Sequence, residues 1–284
     1  MTNRDLLTLF ISAYPAQPAT AFWRAIEIGA IVRHGLPSGL GLDLGCGDGI
    51  LTDILLRQTG PRDLIGIDPD LLEAGAAARF PFYRRVHCCS GEAIPEPDAS
   101  FDFVLSNSVL EHIPQLAGTI AEVGRLLRKN GRFVFTVPGP GFHKNLAGSL
   151  LPHVGREAYL AALDRRLAHY NYLSEGEWDA ICARHRLVVD KCVGYLDGIE
   201  TRRWETLSRL TGGLLYSVFG EVRRPIEIQR GMGIRDLQNR SRLPPVVART
   251  VAQIVSAGVP VDRDSDRWLP PDNASCLLVE GYRV

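Results

Sequence analysis

From residue 40 onward, short apolar runs alternate with longer stretches whose apolar residues recur at helical spacing. The runs are LGLDLG at 40–45, LIGID at 64–68, YRRVHCC at 83–89, FDFVLSN at 101–107 and GRFVFTV at 131–137. Helical periods fill three of the gaps, at 50–58, 71–79 and 115–128. Strands separated by helices predict parallel βαβ units, so the expected class is α/β with a doubly wound sheet. Upstream, 19–34 places Phe22, Ile26 and Ile31 at helical spacing, after an opening broken by Pro15 and Pro18 and before a stop at 37–39. One amphipathic helix is expected there.

Beyond Pro138 the rhythm changes. Pro and Gly punctuate 138–141, a helical pair follows at 156–168 and 174–185, and strands are expected at 187–195 and 274–282. The roughly 75 residues between those two strands, 198–272, exceed any ordinary connection. The expected domain plan is a helical lid at 1–39, a main domain at 40–197, a mainly helical cap inserted at 198–273, and a final strand at 274–284.

Composition narrows the class. The 284 residues are 45% apolar and 23% charged, the balance of an ordinary globular chain. Lys+Arg 32 against Asp+Glu 32 leaves no net charge to draw the chain to nucleic acid or anionic lipid. No window approaches the run of about 20 apolar residues that spans a bilayer. The apolar stretch at 6–14 carries Asp5 and no basic cluster before it, which argues against an export signal. The six cysteines (Cys46, Cys88, Cys89, Cys182, Cys192, Cys276) form no C-x-x-C pair and no metal-ligand spacing with His. A cytoplasmic, reduced protein without a metal is the expectation, its cysteines mostly small buried hydrophobes.

The segment that carries chemistry is LDLGCGDG at 42–49, at the end of the first strand and the start of a helix. Gly45, Gly47 and Gly49 permit a tight turn close to a ligand, and the helix start offers free N–H groups. Asp43 stands inside that turn and favours a cationic ligand group. Asp68 ends the second strand, where a carboxylate can accept ribose hydroxyls. The third strand ends in Ser90, Gly91 and Glu92, and the fourth in FDFVLSNSVLEH at 101–112. Ligands of open α/β sheets bind at these carboxyl ends.

These residues resemble class I S-adenosylmethionine-dependent methyltransferases, of the subgroup that includes small-molecule and quinone methyltransferases. The resemblance spans about 22–137, including GEAIPEPDASFDFVLSNSVLEHI at 91–113 and RLLRKNGRFVFTVP at 125–138. It implies a Rossmann-like sheet of seven strands, the last antiparallel, with S-adenosylmethionine across the ends of the first four. It further implies that Asp43, Gly45, Cys46 and Gly47 line the methionine part, Asp68 and Pro69 hold ribose, Gly91 and Glu92 flank adenine, and Asn107 lies by the methionine amine. Ser90 departs from the pattern by standing where an acid usually accepts from the adenine amino group. A hydroxyl still accepts, without charge, at a cost of about 1 kcal/mol.

Methyl transfer requires alignment above all, and a base only where the acceptor loses a proton. His143 and His169 are the candidate bases, with Tyr170 and Tyr172 as candidate substrate contacts. Glu111 and His112 read either as an acid–base pair or as caps at a helix start. Between 200 and 249, ten Arg face five acidic residues, while Trp204, Leu207, Leu210, Leu214, Leu215, Val218 and Phe219 form an apolar stripe. A basic amphipathic cap of this kind suits an anionic or lipid-linked acceptor or a peripheral membrane contact, or packs as an ordinary buried face. The expected activity is methylation of a small-molecule, saccharide or lipid-linked acceptor at oxygen. The alternatives are a nicotinamide-dependent oxidoreductase, since a glycine turn followed by an acid also suits NAD, and a non-catalytic cofactor-binding protein.

Overall fold

The computed structural model describes residues 2–213, 243–259, 261–262 and 268–284. Seven strands form one sheet: β1 (Leu40–Leu44), β2 (Asp63–Asp68), β3 (Tyr83–Cys88), β4 (Phe101–Asn107), β5 (Leu127–Pro138), β6 (Leu187–Tyr195) and β7 (Cys276–Arg283). Their order is β3-β2-β1-β4-β5-β7-β6, with β7 antiparallel to both neighbours and β1 to β5 parallel. The expected α/β architecture with an antiparallel last strand is therefore present. The order reverses between β1 and β4, and the crevice at such a reversal is where ligands bind.

Around the sheet run α1 (Asn3–Ala13), α2 (Pro18–His34), α3 (Ile50–Thr59), α4 (Leu71–Ala77), α5 (Leu116–Leu126), α6 (Gly141–Asn145), α7 (Arg156–Leu167), α8 (Glu175–Ala183), α9 (Gly198–Ser208) and α10 (Pro245–Val255). Strand residues alternate between two cores, as a period of two demands. Phe103, Leu105, Val134 and Leu278 join the layer beneath α1, α2 and α3, whereas Val104, Phe133, Phe135, Leu277 and Val279 join the layer with Ile120 of α5 and Trp178 of α8. Both faces are covered, which explains why the strands read as apolar runs without polar alternation.

Several elements differ from the sequence reading. The stretch before Pro15 is a helix, α1, opened by a capping box in which Thr2 and Asp5 bond each other's backbone N–H. Its Leu6, Leu7, Phe10 and Ile11 are buried, and it is tied to the far end of the chain by Asn3 donating to Val261 O at 2.8 Å. Helix α5 stops at Leu126 rather than 128, because buried Leu127 already pairs with Phe101 and the chain turns through a left-handed Asn130. Among the cysteines, Cys88 is exposed, against the expectation of burial, because β3 is an edge strand.

Between β6 and β7 the described residues carry two helices, α9 and α10, in keeping with the expected helical insertion. Helix α9 is fixed to α2 through Trp204 on Trp23, with ring centroids 5.2 Å apart, and both rings meet Phe142 of α6. Of the apolar stripe, Trp204 is buried and Leu207 half-buried, while Leu210 is exposed; Leu214, Leu215, Val218 and Phe219 lie outside the described residues. Arg203 donates to the carbonyls of Ile254 and Val255 at the C-terminus of α10, so it serves packing, and Arg202 is exposed. Arg223 and Arg224 lie outside the described residues.

One carboxylate joins α2 to the ends of three strands. Glu27 is 0% exposed and sits amid the apolar residues of α2. Its Oε1 accepts from Ser108 Oγ (2.5 Å), Thr136 Oγ1 (3.0 Å) and Tyr195 OH (3.0 Å), and its Oε2 from Arg24 (2.5 Å) and Asn107 Nδ2 (2.9 Å). Burial alone would raise its pKa, but the Arg24 charge and these donors hold it below the ordinary value. Removing one partner of a buried ion pair leaves the other uncompensated, at roughly 3 to 5 kcal/mol. Glu27→Gln is therefore expected to lose about 3 kcal/mol in urea unfolding with an unchanged slope, and a loss under about 1 kcal/mol would show that the carboxylate does not anchor α2.

Candidate active site at the carboxyl ends of β1 to β4

The turn after β1 is hung from β2, since Gly45 N and Cys46 N both donate to Ile67 O at 2.9 Å. All three glycines have positive φ, but for different surroundings. A Cβ on Gly45 would lie 2.3 Å from Val109, and one on Gly49 would lie 2.7 Å from Phe80, so packing forbids side chains there. Above Gly47 (φ +53°) the nearest atom would be Glu73 Oε2 at 3.9 Å, which leaves space for a ligand against the backbone. Cys46 is 5% exposed, and burial pushes its thiol far above the ordinary range, so it is an inert wall of the turn.

Asp43 is buried, and its Oδ2 accepts from Thr52 Oγ1 at 2.6 Å and from Tyr83 OH. It clamps the start of α3 and β3 to the turn, and it caps no backbone group of the turn. Asp68 holds the turn from the other side, accepting from Gly47 N at 3.0 Å and Asp70 N at 2.9 Å. Burial raises its pKa to about 6. Capping of α4 falls to Asp70, whose side chain accepts from Leu72 N and Glu73 N, so Asp68 is left at the strand end with its carboxylate on the glycine turn. Pro69 is exposed beside it, its carbonyl receiving Cys88 Sγ at 3.6 Å, which joins the ends of β2 and β3. Past β3, Ser90 Oγ accepts from Glu92 N at 3.3 Å; Ser90 and Glu92 are exposed and Gly91 half-buried.

Asn107 closes the crevice at the end of β4. Its Nδ2 donates to the Glu27 carboxylate, which fixes the amide's orientation. Asn107 Oδ1 is then buried and, among the described residues, has no hydrogen-bond partner. An orphaned buried acceptor costs about 1 to 3 kcal/mol until a donor arrives. Ser108, the next residue, is held at φ +50°, a conformation that aims its hydroxyl at Glu27 and starts the turn into the adjoining cavity.

That cavity measures about 180 Å³. Its lining mixes apolar side chains, Trp23, Trp204 and Leu167, with polar ones, Arg24, Ser108, Glu111, His112 and His169. Of the sequence-predicted catalytic and substrate residues, only His169 lines it. His143 is bonded to Asp164 (Nε2 to Oδ1, 2.9 Å), Tyr170 is 61% exposed, and Tyr172 stands behind His169, donating to Asp164 Oδ1 at 2.6 Å. Glu111 and His112 do not cap a helix start, because they lie in a 3₁₀ turn at Leu110–His112, ahead of α5 whose N-cap is Gln115. Trp23, Arg24 and Glu27 went unread in the sequence, although an acid isolated among Phe22, Ile26, Ile28 and Ile31 marks a helix that buries a charge. Tyr14, which caps the end of α1, likewise reaches Asp48 of the glycine turn at 3.2 Å, a contact that no local pattern announces.

Known proteins agree with this geometry. Residues 42–135 match the family profile described as "Methyltransferase domain". A ubiquinone biosynthesis O-methyltransferase of Paracidovorax citrulli is 33% identical over 175 residues, covering 57% of this chain and 69% of the relative. One from Xylella fastidiosa is 27% identical over 185 residues, covering 63% and 71%. A crystal structure of a putative S-adenosylmethionine-dependent methyltransferase from Listeria monocytogenes overlays with a TM-score of 0.52 at 15% identity, covering 93% of this chain and 99% of that one, a likeness of fold. No described helix is long and apolar enough to cross a membrane. The P. citrulli relative is met over more than two thirds of its own length at a third identity, a match that decides against a nicotinamide enzyme: the chain belongs to the class I S-adenosylmethionine-dependent methyltransferases.

Proposed function

We propose that the chain methylates an oxygen of a small acceptor whose hydroxyl is attached to an apolar or aromatic body. The observation that carries this reading is the cavity next to Ser108, lined both by two tryptophans and by Arg24, Glu111 and two histidines. Such a pocket buries the body of an amphipathic molecule and engages its polar end. The two named relatives are ubiquinone biosynthesis O-methyltransferases, which supports oxygen as the accepting atom.

On this reading the cofactor's methionine part lies over Gly47, in the open space above that backbone. Asn107 Oδ1, the orphaned acceptor, takes a hydrogen bond from the methionine ammonium, while Asp43 acts through the turn that it clamps. The Asp68 carboxylate accepts the ribose hydroxyls beside Pro69, and Ser90, Gly91 and Glu92 border adenine. Bound S-adenosylmethionine would supply an electrophilic methyl on its sulfonium sulfur and leave as neutral S-adenosylhomocysteine. The chain's own part is alignment and disposal of the acceptor's proton. The cavity wall gathers the groups that favour losing that proton: Glu111, and the ring nitrogens of His112 and His169. Burial lowers the pKa of His169 to about 3, so its ring is neutral at pH 7.

Four outcomes are expected. In calorimetry, Asp68→Ala weakens S-adenosylhomocysteine by roughly 1.5 to 3 kcal/mol, about 10- to 150-fold, and unchanged affinity in a folded variant removes Asp68 from the site. The ribose is bound by the ionised carboxylate, whose pKa in the free protein is raised to about 6; wild-type affinity therefore falls below that pH by up to about tenfold per unit, and Asp68→Asn flattens the profile. Gly47→Val fills the open space and abolishes binding, while its left-handed backbone costs about 1 to 2 kcal/mol of stability; retained tight binding would contradict the placement. Incubated with S-adenosylmethionine and a panel of catechols, saccharides and amines, the wild type is expected to yield methyl ethers of the catechols, and exclusive methylation of nitrogen would refute the reading.

A further inference from the structure

Three side chains of the cavity wall stand in an arrangement that acid–base work alone does not require. One candidate ligand atom from each of Glu111, His112 and His169 lies within 4.8 Å of the other two. The residues come from two places in the chain, the 3₁₀ turn after β4 and the segment after α7, and the histidines are 57 positions apart, which is why no local spacing revealed them.

Second contacts fix how each group presents itself. His112 Nδ1 lies 2.9 Å from Ala168 O, which can only accept, so that nitrogen carries the proton and Nε2 keeps its lone pair. His169 Nδ1 lies 3.1 Å from Tyr172 OH. Tyr172 spends its own proton on Asp164, so its oxygen accepts from Nδ1, and Nε2 of His169 likewise keeps its lone pair. The two rings stand edge to face with centroids 5.1 Å apart. Glu111 is 1% exposed, and its Oε2 has no hydrogen-bond partner among the described residues. A buried, unpartnered carboxylate oxygen is costly, and a cation between it and two imidazole lone pairs would remove that cost. Arg24 lines the same cavity, but its charge is already matched by Glu27 at 2.5 Å.

We propose that Glu111, His112 and His169 bind a divalent first-row transition metal at the floor of the acceptor cavity. Two imidazoles and one carboxylate suit ions from Mn²⁺ to Zn²⁺ and disfavour Mg²⁺ and Ca²⁺, which take oxygen ligands. Bond lengths of about 2.0 to 2.2 Å put ligand atoms at most about 4.3 Å apart, so small side-chain rotations close the site. The carbonyl behind His112 and the Tyr172–Asp164 pair behind His169 are the outer contacts that orient metal-bound imidazoles. Three protein ligands leave coordination positions open to the cavity. This part rests on the methyl-transfer reading: an acceptor hydroxyl bound there becomes more acidic and is held in place for attack.

The test is a titration of Co²⁺ alone into the tag-free full chain, followed by calorimetry and by the visible absorption of the bound ion. One equivalent is expected to bind. His112→Asn, at an exposed position that leaves folding intact, and the buried-site variants Glu111→Gln and His169→Asn should each weaken binding at least about tenfold, while His153→Gln, on the exposed surface, leaves it unchanged. Absence of saturable binding up to about 1 mM, or equal affinity in wild type and His112→Asn, would overturn the site. Turnover does not enter this readout. Co²⁺ binding that depends on these residues, in a chain that makes no methylated product, upholds the site and refutes the acceptor reading. Undiminished methyl transfer in excess chelator by a chain that binds no Co²⁺ refutes the site alone.

Discussion

Taking a carboxylate out of water costs several kcal/mol unless charge and hydrogen bonds replace the lost hydration. Glu27 meets that condition through five donors drawn from α2, from the end of β4 and the residue after it, and from β5 and β6. The arrangement has geometric consequences on both sides. It fixes the amide of Asn107 so that its oxygen is left buried without a partner among the described residues, and it holds Ser108 in the left-handed conformation that begins the turn to Glu111 and His112. It also presses α2 against the sheet, which places Trp23 and Arg24 in the cavity wall. The strand-end crevice and the neighbouring cavity are thus referred to one buried charge.

A second constraint acts on the glycine turn. Asp43, buried between Thr52 and Tyr83, and Asp68, bonded to Gly47 N, hold the turn from opposite sides. Packing excludes side chains at Gly45 and Gly49, whereas Gly47 alone of the three faces open space. A rigid turn with one uncovered backbone position is a preorganised surface, and a ligand settling there does not have to order the loop.

The sheet was legible in the sequence because its central strands, β1, β2, β4 and β5, are buried on both faces and stand out as apolar runs between helical periods. The positions of Asp68, Gly47 and Asn107 around the crevice were legible because they follow strand ends, where position along the chain maps directly onto position in the fold. The lining of the cavity was not. Its residues come from α2, from the turn after β4, from the segment after α7 and from α9, and only tertiary packing brings them together. His143 and His169 looked alike in the sequence, yet Asp164 takes the first and the cavity the second. Helix α1 was missed because Pro15 and Pro18 hid a capped helix whose support comes from the far end of the chain. Glu111 read as half of an acid–base pair or as a cap, because polar residues after a strand often cap a helix; its burial in a 3₁₀ turn, which local sequence does not report, removes the cap.

A crystal structure of the chain with S-adenosylhomocysteine tests most directly whether the Glu27-centred network makes one continuous site of the crevice over Gly47 and the cavity at Glu111. The expected result is the ligand's ammonium on Asn107 Oδ1, the amide still bonded to Glu27, and the sulfur opening into the cavity between Glu111 and Trp23. A sulfur directed away from that cavity, or an Asn107 amide that has left Glu27 to reach the ligand, would contradict it.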